Sequence, residues 1–244
     1  MKLKVVSSGS VGNSYIVHNE DEALLIECGV RFDDIKRSLN FNLKKVVGCI
    51  VSHSHKDHCK GVREVVNAGI NIHCLEETAA TFGFKSHRLK VIEPKKIFTV
   101  GKFKVMAFPL QHDVPCLGFM VDHEETGTFV FITDTYYCEY TFPGLHNVII
   151  EANYCQNILD SKVAAGATPE FLRNRVLQSH MSLATCKEFL KVNDLSKVNN
   201  ILLIHLSDSN SNADQFKKEV QEQTAKTVNI ASKGLEINFN KTPF

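Results

Sequence analysis

The chain has 244 residues, of which 43% are hydrophobic and 23% charged, with a formal net charge of +1. This length suffices for one large domain with a sizeable core, and the near-neutral charge excludes a global electrostatic demand for a nucleic-acid or membrane partner. No segment approaches the roughly 20 apolar residues of a membrane span, and the apolar part of residues 1–6 is too short for a signal peptide. The sequence therefore predicts a cytoplasmic protein outside the membrane, and it leaves the oligomeric state open.

Apolar runs of strand length and amphipathic helical patterns alternate along the chain. Strands are predicted at 3–6, 14–18, 23–27, 46–51, 70–73, 96–99, 103–108, 118–122, 128–132, 148–151 and 201–204, and near Val228 and Leu235. Helices are predicted at 32–39, 61–67, from Thr168 as N-cap, from Ser182 through Leu190, and at 213–223. Strand runs in both halves, interrupted by helices, favour an α+β fold in which two sheets can form a sandwich.

The segment His53-Ser54-His55-Lys56-Asp57-His58 places four metal-donor side chains directly after a buried apolar strand. In an extended chain His53 and His55 point to the same side, whereas Asp57 and His58 follow a turn and can face a second point. This geometry suits two neighbouring cations better than one. A merely solvated loop is disfavoured, because unpaired donors beside a buried strand are costly to place without a common partner.

Three further donors each close a later apolar run: His112 after 103–108, Asp134 after 128–132 and His205 after 201–204. Alone, each is more typical of a capping or hydrogen-bonded residue than of a ligand. Together they add three candidate donors to the four of the segment 53–58. Imidazole and carboxylate donors without thiolate suit Zn²⁺, Mn²⁺ or Fe²⁺.

The spacing His-x-His-x-Asp-His, followed by these donors in order, resembles the metallo-β-lactamase superfamily. The resemblance implies a four-layer αββα sandwich, formed by a single domain over residues 1–244. It implies two divalent ions, Zn or Mn above all, and hydrolysis by a metal-bound hydroxide. The ligands it assigns are His53, His55 and His112 for one ion, Asp57, His58 and His205 for the other, and Asp134 as the bridge, with Asp57 also a catalytic residue.

Four segments resemble the YycJ-like (WalJ-type) branch of this superfamily, whose members are regarded as DNA nucleases, typically 5′ to 3′ exonucleases. They are the loop 7–14, Glu151-Ala152-Asn153, Ser179-His180-Met181-Ser182 and 205–210. The resemblance spans residues 5 to about 225 and implies DNA, as single strands or ends, as the substrate. The chain departs from the branch at Tyr154-Cys155 and at Ser179, which bears on substrate preference.

Beyond the ligands, the resemblance points to His180 as a general acid that protonates the leaving oxygen of a phosphodiester. Only 46 positions separate Asp134 from His180, too few for the added β-CASP domain of related nucleases. Phosphate or substrate contacts are expected from Asn13, Ser14, Asn153, Ser207 and Asn210. The basic stretch 85–96 is more typical of a solvated loop than of a nucleic-acid track.

Three other functions remain open from the sequence. A phosphodiesterase for a cyclic nucleotide needs the same metals and acid but a closed pocket. A thioesterase or lactonase uses the same metals and has no need of His180. A metal-stabilised binding module is disfavoured by the full donor set.

Overall fold

The computed structural model describes residues 1–243, which form two seven-stranded mixed sheets. In the first sheet the strand order is β14-β1-β2-β3-β4-β5-β6. Its strands are β1 (Lys2–Ser7), β2 (Ser14–His18), β3 (Ala23–Ile26), β4 (Val46–Ile50), β5 (Ile72–Cys74), β6 (Leu89–Val91) and β14 (Glu236–Asn238). Strands β3 to β6 run parallel to one another, and β1, β2 and β3 pair antiparallel.

The second sheet has the order β13-β12-β11-β10-β9-β8-β7. Its strands are β7 (Ile97–Val100), β8 (Phe103–Leu110), β9 (Cys116–His123), β10 (Gly127–Ile132), β11 (Leu145–Glu151), β12 (Asn200–Ile204) and β13 (Thr227–Ile230). Strands β10 to β13 are parallel, whereas β7 to β10 form an antiparallel meander.

Eight α-helices accompany the sheets in the described part of the chain. They are α1 (Phe32–Ser38), α2 (Lys56–Cys59), α3 (Val62–Asn67), α4 (Glu76–Thr81), α5 (Gln156–Ala164), α6 (Glu170–Ser179), α7 (Leu183–Val192) and α8 (Ala213–Thr224), with a 3₁₀ turn at Leu43–Lys45. None of these helices is long and apolar enough to cross a lipid bilayer.

Three apolar clusters define the layers. Side chains of both sheets, such as Tyr15 and Phe131, meet in the central cluster, with ring centroids 5.6 Å apart. The outer face of the first sheet packs on α1 and α3 through residues such as Ile35 and Val65. The outer face of the second sheet packs on α7 and α8, where Phe216 is fully buried. Helix, sheet, sheet and helix therefore stack as four layers, which confirms the predicted α+β sandwich.

Most predicted elements exist within a few residues of their expected bounds, and the differences are local. The sequence did not predict α2, α4, α5 or β6. Thr168 does not cap α6: Pro169 is the N-cap residue, and no side chain accepts a capping hydrogen bond there. Ser182 does cap α7, because its side chain accepts a hydrogen bond from the Thr185 amide. Between Asp134 and His180 the chain forms β11, α5 and α6.

Strand direction brings the predicted donors to one edge of the molecule. In the second sheet, β8, β10 and β12 end at the same edge, because β8 and β10 lie on either side of the antiparallel β9 and β12 runs parallel to β10. In the first sheet, β4 ends at this edge too, since the donors that follow it meet those of the second sheet. The loops that follow these strands carry His53, His112, Asp134 and His205. The fold thus gathers residues as far apart in the sequence as His53 and His205, which are 152 positions apart.

Candidate metal centre

Three groups of donor side chains meet at this edge, and within each group the candidate ligand atoms lie within 4.8 Å of one another. The first group is His53, His55, His112 and Asp134; the second is Asp57, His58, Asp134 and His205; the third is Asp134, Glu151, His180 and His205. The structure therefore brings together all seven residues predicted as ligands. Asp134 belongs to every group, as a bridging ligand must.

Backbone conformation aims several of these side chains. Asp134 and His205 directly follow strands of the second sheet and adopt left-handed φ values of 47° and 54°, and Glu27 after β3 has φ 64°. Residues other than glycine rarely occupy this region, and such conformations cluster at functional sites. At Asp134 and His205 the sharp turn leaves the strand and directs the side chain toward the shared centre.

In the first group, one imidazole nitrogen faces inward without a partner. His53 lies fully buried; its Nδ1 contacts the Ser52 hydroxyl at 2.9 Å, and its Nε2 has no hydrogen-bond partner among the described residues. His112 Nε2 lies 3.3 Å from His55 Nδ1 and 3.8 Å from Asp134 Oδ2. Burial lowers the pKa of His53, which favours the neutral imidazole that a metal ion requires.

In the second group, the two oxygens of Asp134 separate toward different partners. Oδ1 lies 3.4 Å from His58 Nε2, whereas Oδ2 lies 3.9 Å from His53 Nε2. Asp57 Oδ2 lies 3.3 Å from His58 Nε2 and 3.7 Å from His205 Nε2. Burial alone would raise the pKa of Asp134, but the neighbouring His205 and His58 outweigh it and hold the pKa well below its ordinary range. The donors therefore fit divalent cations.

Buried polar residues behind the donors hold them in place. Glu27 is fully buried, accepts a hydrogen bond from the Ser52 amide, and its Oε1 lies 3.6 Å from His58 Nδ1. Asn13 Nδ2 contacts Asp57 Oδ2 at 3.3 Å and His58 Nε2 at 3.1 Å. Such outer partners fix the orientation of ligating groups.

Glu151 is the functional candidate that sequence reasoning missed as an individual residue. It is fully buried, and its Oε1 lies 2.7 Å from His180 Nδ1 and 2.9 Å from His205 Nδ1. Its Oε2 accepts hydrogen bonds from the amides of Thr135 and Met181. The available signal was its place at the end of an apolar strand, the same signal that identified Asp134 and His205.

His180 lies between α6 and α7, and the carboxylate of Glu151 holds the orientation of its ring. Burial alone would lower the pKa of His180, but the charge and hydrogen bond of Glu151 outweigh it and raise the pKa. A raised pKa favours the protonated ring, which is the form that a proton donor needs.

The residues expected to contact substrate lie in different places, and only some of them line a cavity. Asn13 and Ser14 are buried behind Asp57 and do not line the cavity over the donors. Asn153 and Ser207 line an adjacent cavity, and Asn153 Nδ2 also donates to the His205 carbonyl at 2.7 Å. Asn210 is buried, and its amide donates to Ser207 Oγ at 3.2 Å.

The basic stretch 85–96 lines neither the cavity over the metal donors nor the adjacent cavity that Asn153 and Ser207 line. Arg88 donates to the Gly69 carbonyl at 2.6 Å, Lys96 pairs with Glu93 at 2.6 Å, and Lys95 lies over the ring of Tyr140. These local partners support the solvated-loop interpretation of this stretch.

Two adjoining cavities open beside the donors. The first, of about 200 Å³, is lined by His55, Asp57, His112, Asp134 and Arg175, among others. The second, of about 320 Å³, is lined by Asn153 and by the loop from Leu206 to Ser209. Both share Ser10, His180 and His205 as lining residues. A substrate that spans the two would pass directly over His180.

Gly29 gives a direct test of how the loop that carries Asp57 and His58 is packed. A Cβ at Gly29 would lie 1.6 Å from the Asp57 carbonyl oxygen and 2.6 Å from the His58 amide. We expect Gly29→Ala to displace Asp57 and His58, to reduce the bound metal, and to destabilise the fold by about 3 kcal/mol or more. Metal analysis and thermal unfolding measure both effects.

Gly83→Ala is the matched control for this substitution. A Cβ there meets nothing within 4 Å, so only the strain of its φ of +69° applies. We expect a cost of about 1–2 kcal/mol with unchanged metal content. Full metal content in Gly29→Ala would show that the loop tolerates the displacement and would contradict the packing described above.

Comparison with known sequences identifies a family and two relatives that match most of the chain. The sequence profile of the metallo-beta-lactamase superfamily matches residues 8–137. The chain is 26% identical over 227 residues to exodeoxyribonuclease WalJ of Streptococcus pneumoniae serotype 2, covering 86% of this chain and 83% of that protein. It is 24% identical over 240 residues to exodeoxyribonuclease YycJ of Bacillus anthracis, covering 91% and 88%.

A solved structure shares the fold over nearly the whole chain. The metallo-beta-lactamase fold protein YhfI from Bacillus subtilis superimposes with a TM-score of 0.76 at 19% identity, covering 97% of this chain and 99% of that one. At this identity the likeness concerns the fold alone.

Proposed function

Because the chain belongs to the metallo-beta-lactamase superfamily and is a metallo-hydrolase, we propose that it is a phosphodiesterase that degrades DNA from its ends. In this proposal the centre holds two divalent ions, Zn or Mn. His53, His55 and His112 would hold one ion, Asp57, His58 and His205 would hold the other, and Asp134 would contribute to both.

The observation that carries the proposal is the pairing of Glu151 with His180 beside the donors. His180 Nδ1 lies 2.7 Å from Glu151 Oε1 and 4.0 Å from Asp134 Oδ2. A hydrolase whose leaving group is an alkoxide gains from a proton donor at this place, whereas a stabilised thiolate leaving group needs none. The pair therefore favours phosphodiesters over thioesters.

The metal ions would supply Lewis-acid charge that activates water and polarises a phosphoryl oxygen. The chain's own residues do the rest. Asn13 and Glu27 hold Asp57 and His58 in position. Glu151 accepts from His180 Nδ1, so the opposite nitrogen, Nε2, is left to carry the proton toward the leaving oxygen.

Glu151 also lies 2.9 Å from His205 Nδ1. One carboxylate thus positions both the proton donor and a predicted ligand, which couples the acid to the metal centre. We infer that Glu151 is a positioning residue that does not itself contact the substrate.

The choice of DNA rests on the two exodeoxyribonuclease relatives, which cover most of the chain. These relatives are 26% and 24% identical to the chain. The near-neutral net charge of +1 agrees with binding at strand ends through the site itself, without a broad basic surface.

Attack from ends can be tested with matched linear and circular single strands. Metal-loaded protein should shorten 5′- or 3′-labelled linear DNA stepwise and leave a closed circle of the same sequence intact. The label that is released first gives the polarity. Equal cleavage of the circle would contradict exonuclease action while leaving the phosphodiesterase assignment in place.

A further inference from the structure

Helix α6 forms one wall of the two cavities beside the metal donors, and it carries side chains to which no role has been given above. Arg175 lines the cavity over the metal donors, and Val176 lines the adjoining one. At its carboxyl end the Ser179 carbonyl accepts a hydrogen bond from His112 Nδ1 at 2.9 Å. The helix is thus tied directly to a predicted metal ligand.

Arg175 is the one residue with a permanent positive charge among the described residues lining the two cavities. The same cavity contains the carboxylates of Asp57, Asp113 and Asp134. Arg175 is exposed, and no ion pair or hydrogen bond ties it to another described residue. A free guanidinium at the mouth of this site can bind a phosphate oxygen with charge-assisted hydrogen bonds.

Phe171 lies one helical turn before Arg175, as Arg175 lies one turn before Ser179. Residues four apart share a face of a helix and lie about 6 Å apart along its axis. The ring of Phe171 is 69% exposed, so it is open to solvent on the same helix as the exposed Arg175. On this face of the helix, the guanidinium of Arg175 lies between the end next to the metal donors and the exposed ring of Phe171.

We propose that this face of α6, defined by Phe171 and Arg175, binds the nucleotide next to the scissile bond. Arg175 binds the phosphate adjacent to the scissile one, and the ring of Phe171 stacks on the attached base. The arrangement selects an unpaired strand, because the base is free to stack only when it leaves a duplex. This inference rests on the proposed function and adds the residues that recognise the strand.

The test uses metal-loaded protein and a fluorescent thymidine oligonucleotide with phosphorothioate linkages that resist hydrolysis. Arg175→Gln should weaken binding by about 10-fold or more, as loss of a charge-assisted hydrogen bond predicts. It should also reduce the salt dependence of log Kd by about 0.7, the value for one phosphate contact on a single strand. Phe171→Ala should weaken binding by about 5-fold to 100-fold, the range of base stacking, with the salt dependence unchanged.

Arg173→Gln is the matched control, because Arg173 lies on the same helix and pairs with Asp160 at 2.7 Å. It should bind the oligonucleotide as the unmodified protein does. Arg173→Gln should also hydrolyse bis(p-nitrophenyl) phosphate at the rate of the unmodified protein, which shows that its catalytic site is intact.

Several outcomes overturn the inference. Equal binding by all variants would do so, as would an equal effect in Arg173→Gln. Loss of bis(p-nitrophenyl) phosphate hydrolysis in Arg175→Gln would move Arg175 to the scissile phosphate. A changed oligomeric state in Phe171→Ala, with unchanged DNA binding, would assign the ring to a protein interface. Failure of the unmodified protein to cleave any DNA would instead overturn the proposed function.

Discussion

Replacing Asp134 with alanine is expected to remove most of both metal ions, from about two per chain to well below one. The physical reason is that its Oδ1 faces His58 and His205, whereas its Oδ2 faces His53 and His112. No other predicted ligand belongs to all three donor groups. Elemental analysis of protein prepared without chelator measures the change.

Asp122→Ala is the control, because Asp122 lies on the same sheet and is exposed, with a hydrogen bond from Thr128. It should retain the full metal content. Unchanged metal in Asp134→Ala would refute the bridging role, and one ion per chain in the unmodified protein would refute the two-metal centre.

Replacing His180 with alanine should leave the metal and the fold intact but slow DNA hydrolysis by about 10²–10⁴-fold, the usual range for a general acid. The loss should shrink on a p-nitrophenyl phosphodiester, whose leaving group departs without a proton. The ratio of the rate loss on DNA to the rate loss on the p-nitrophenyl substrate separates the contribution of proton donation by His180 from that of substrate positioning. Steady-state rates on both substrates, with metal content measured on the same preparations, give that ratio.

His205→Ala should behave differently, because His205 Nε2 faces Asp57 Oδ2 at 3.7 Å as a predicted ligand. It should lose metal from the second group of donors, and added Mn²⁺ should restore part of the activity. Should His180→Ala also lose metal, or lose equal activity on both substrates, the acid assignment is wrong.

The sequence predicts the donors well because they follow strands: four of them come after β4, and the other three come after β8, β10 and β12. An apolar run that ends in a histidine or aspartate is a local pattern, and parallel strands bring such ends to one edge of a sheet. The local pattern marks each donor, but the assignment of residues as distant as His53 and His205 to one centre follows from the resemblance to the metallo-β-lactamase superfamily.

Other parts of the site depend on contacts that no local pattern encodes. Glu151 also ends a strand, but its role follows from the burial of its carboxylate between His180 and His205. Asn13 was expected to contact substrate, yet it lies buried against Asp57 and His58. Its loop alone does not reveal which neighbour it will meet after folding.

The helices α4 and α5 were missed for a related reason. Neither begins with a side chain that accepts a capping hydrogen bond, and few of their residues are buried, so the apolar periodicity that marks a packed helix is weak. The exposed face of α6 was visible in the sequence only as part of a helical pattern. Its place against the metal donors is set by the Ser179 to His112 contact.

The ranking of substrates tests the assignment most directly. Metal-loaded protein is compared, by kcat/KM, on single-stranded DNA, RNA, a cyclic nucleotide, and thioester and β-lactam substrates under identical conditions. We expect DNA to be hydrolysed fastest and the thioester and β-lactam to be poor substrates. Fast thioester hydrolysis with inert DNA would contradict a phosphodiesterase, and fast cyclic-nucleotide cleavage with inert DNA would contradict a nuclease.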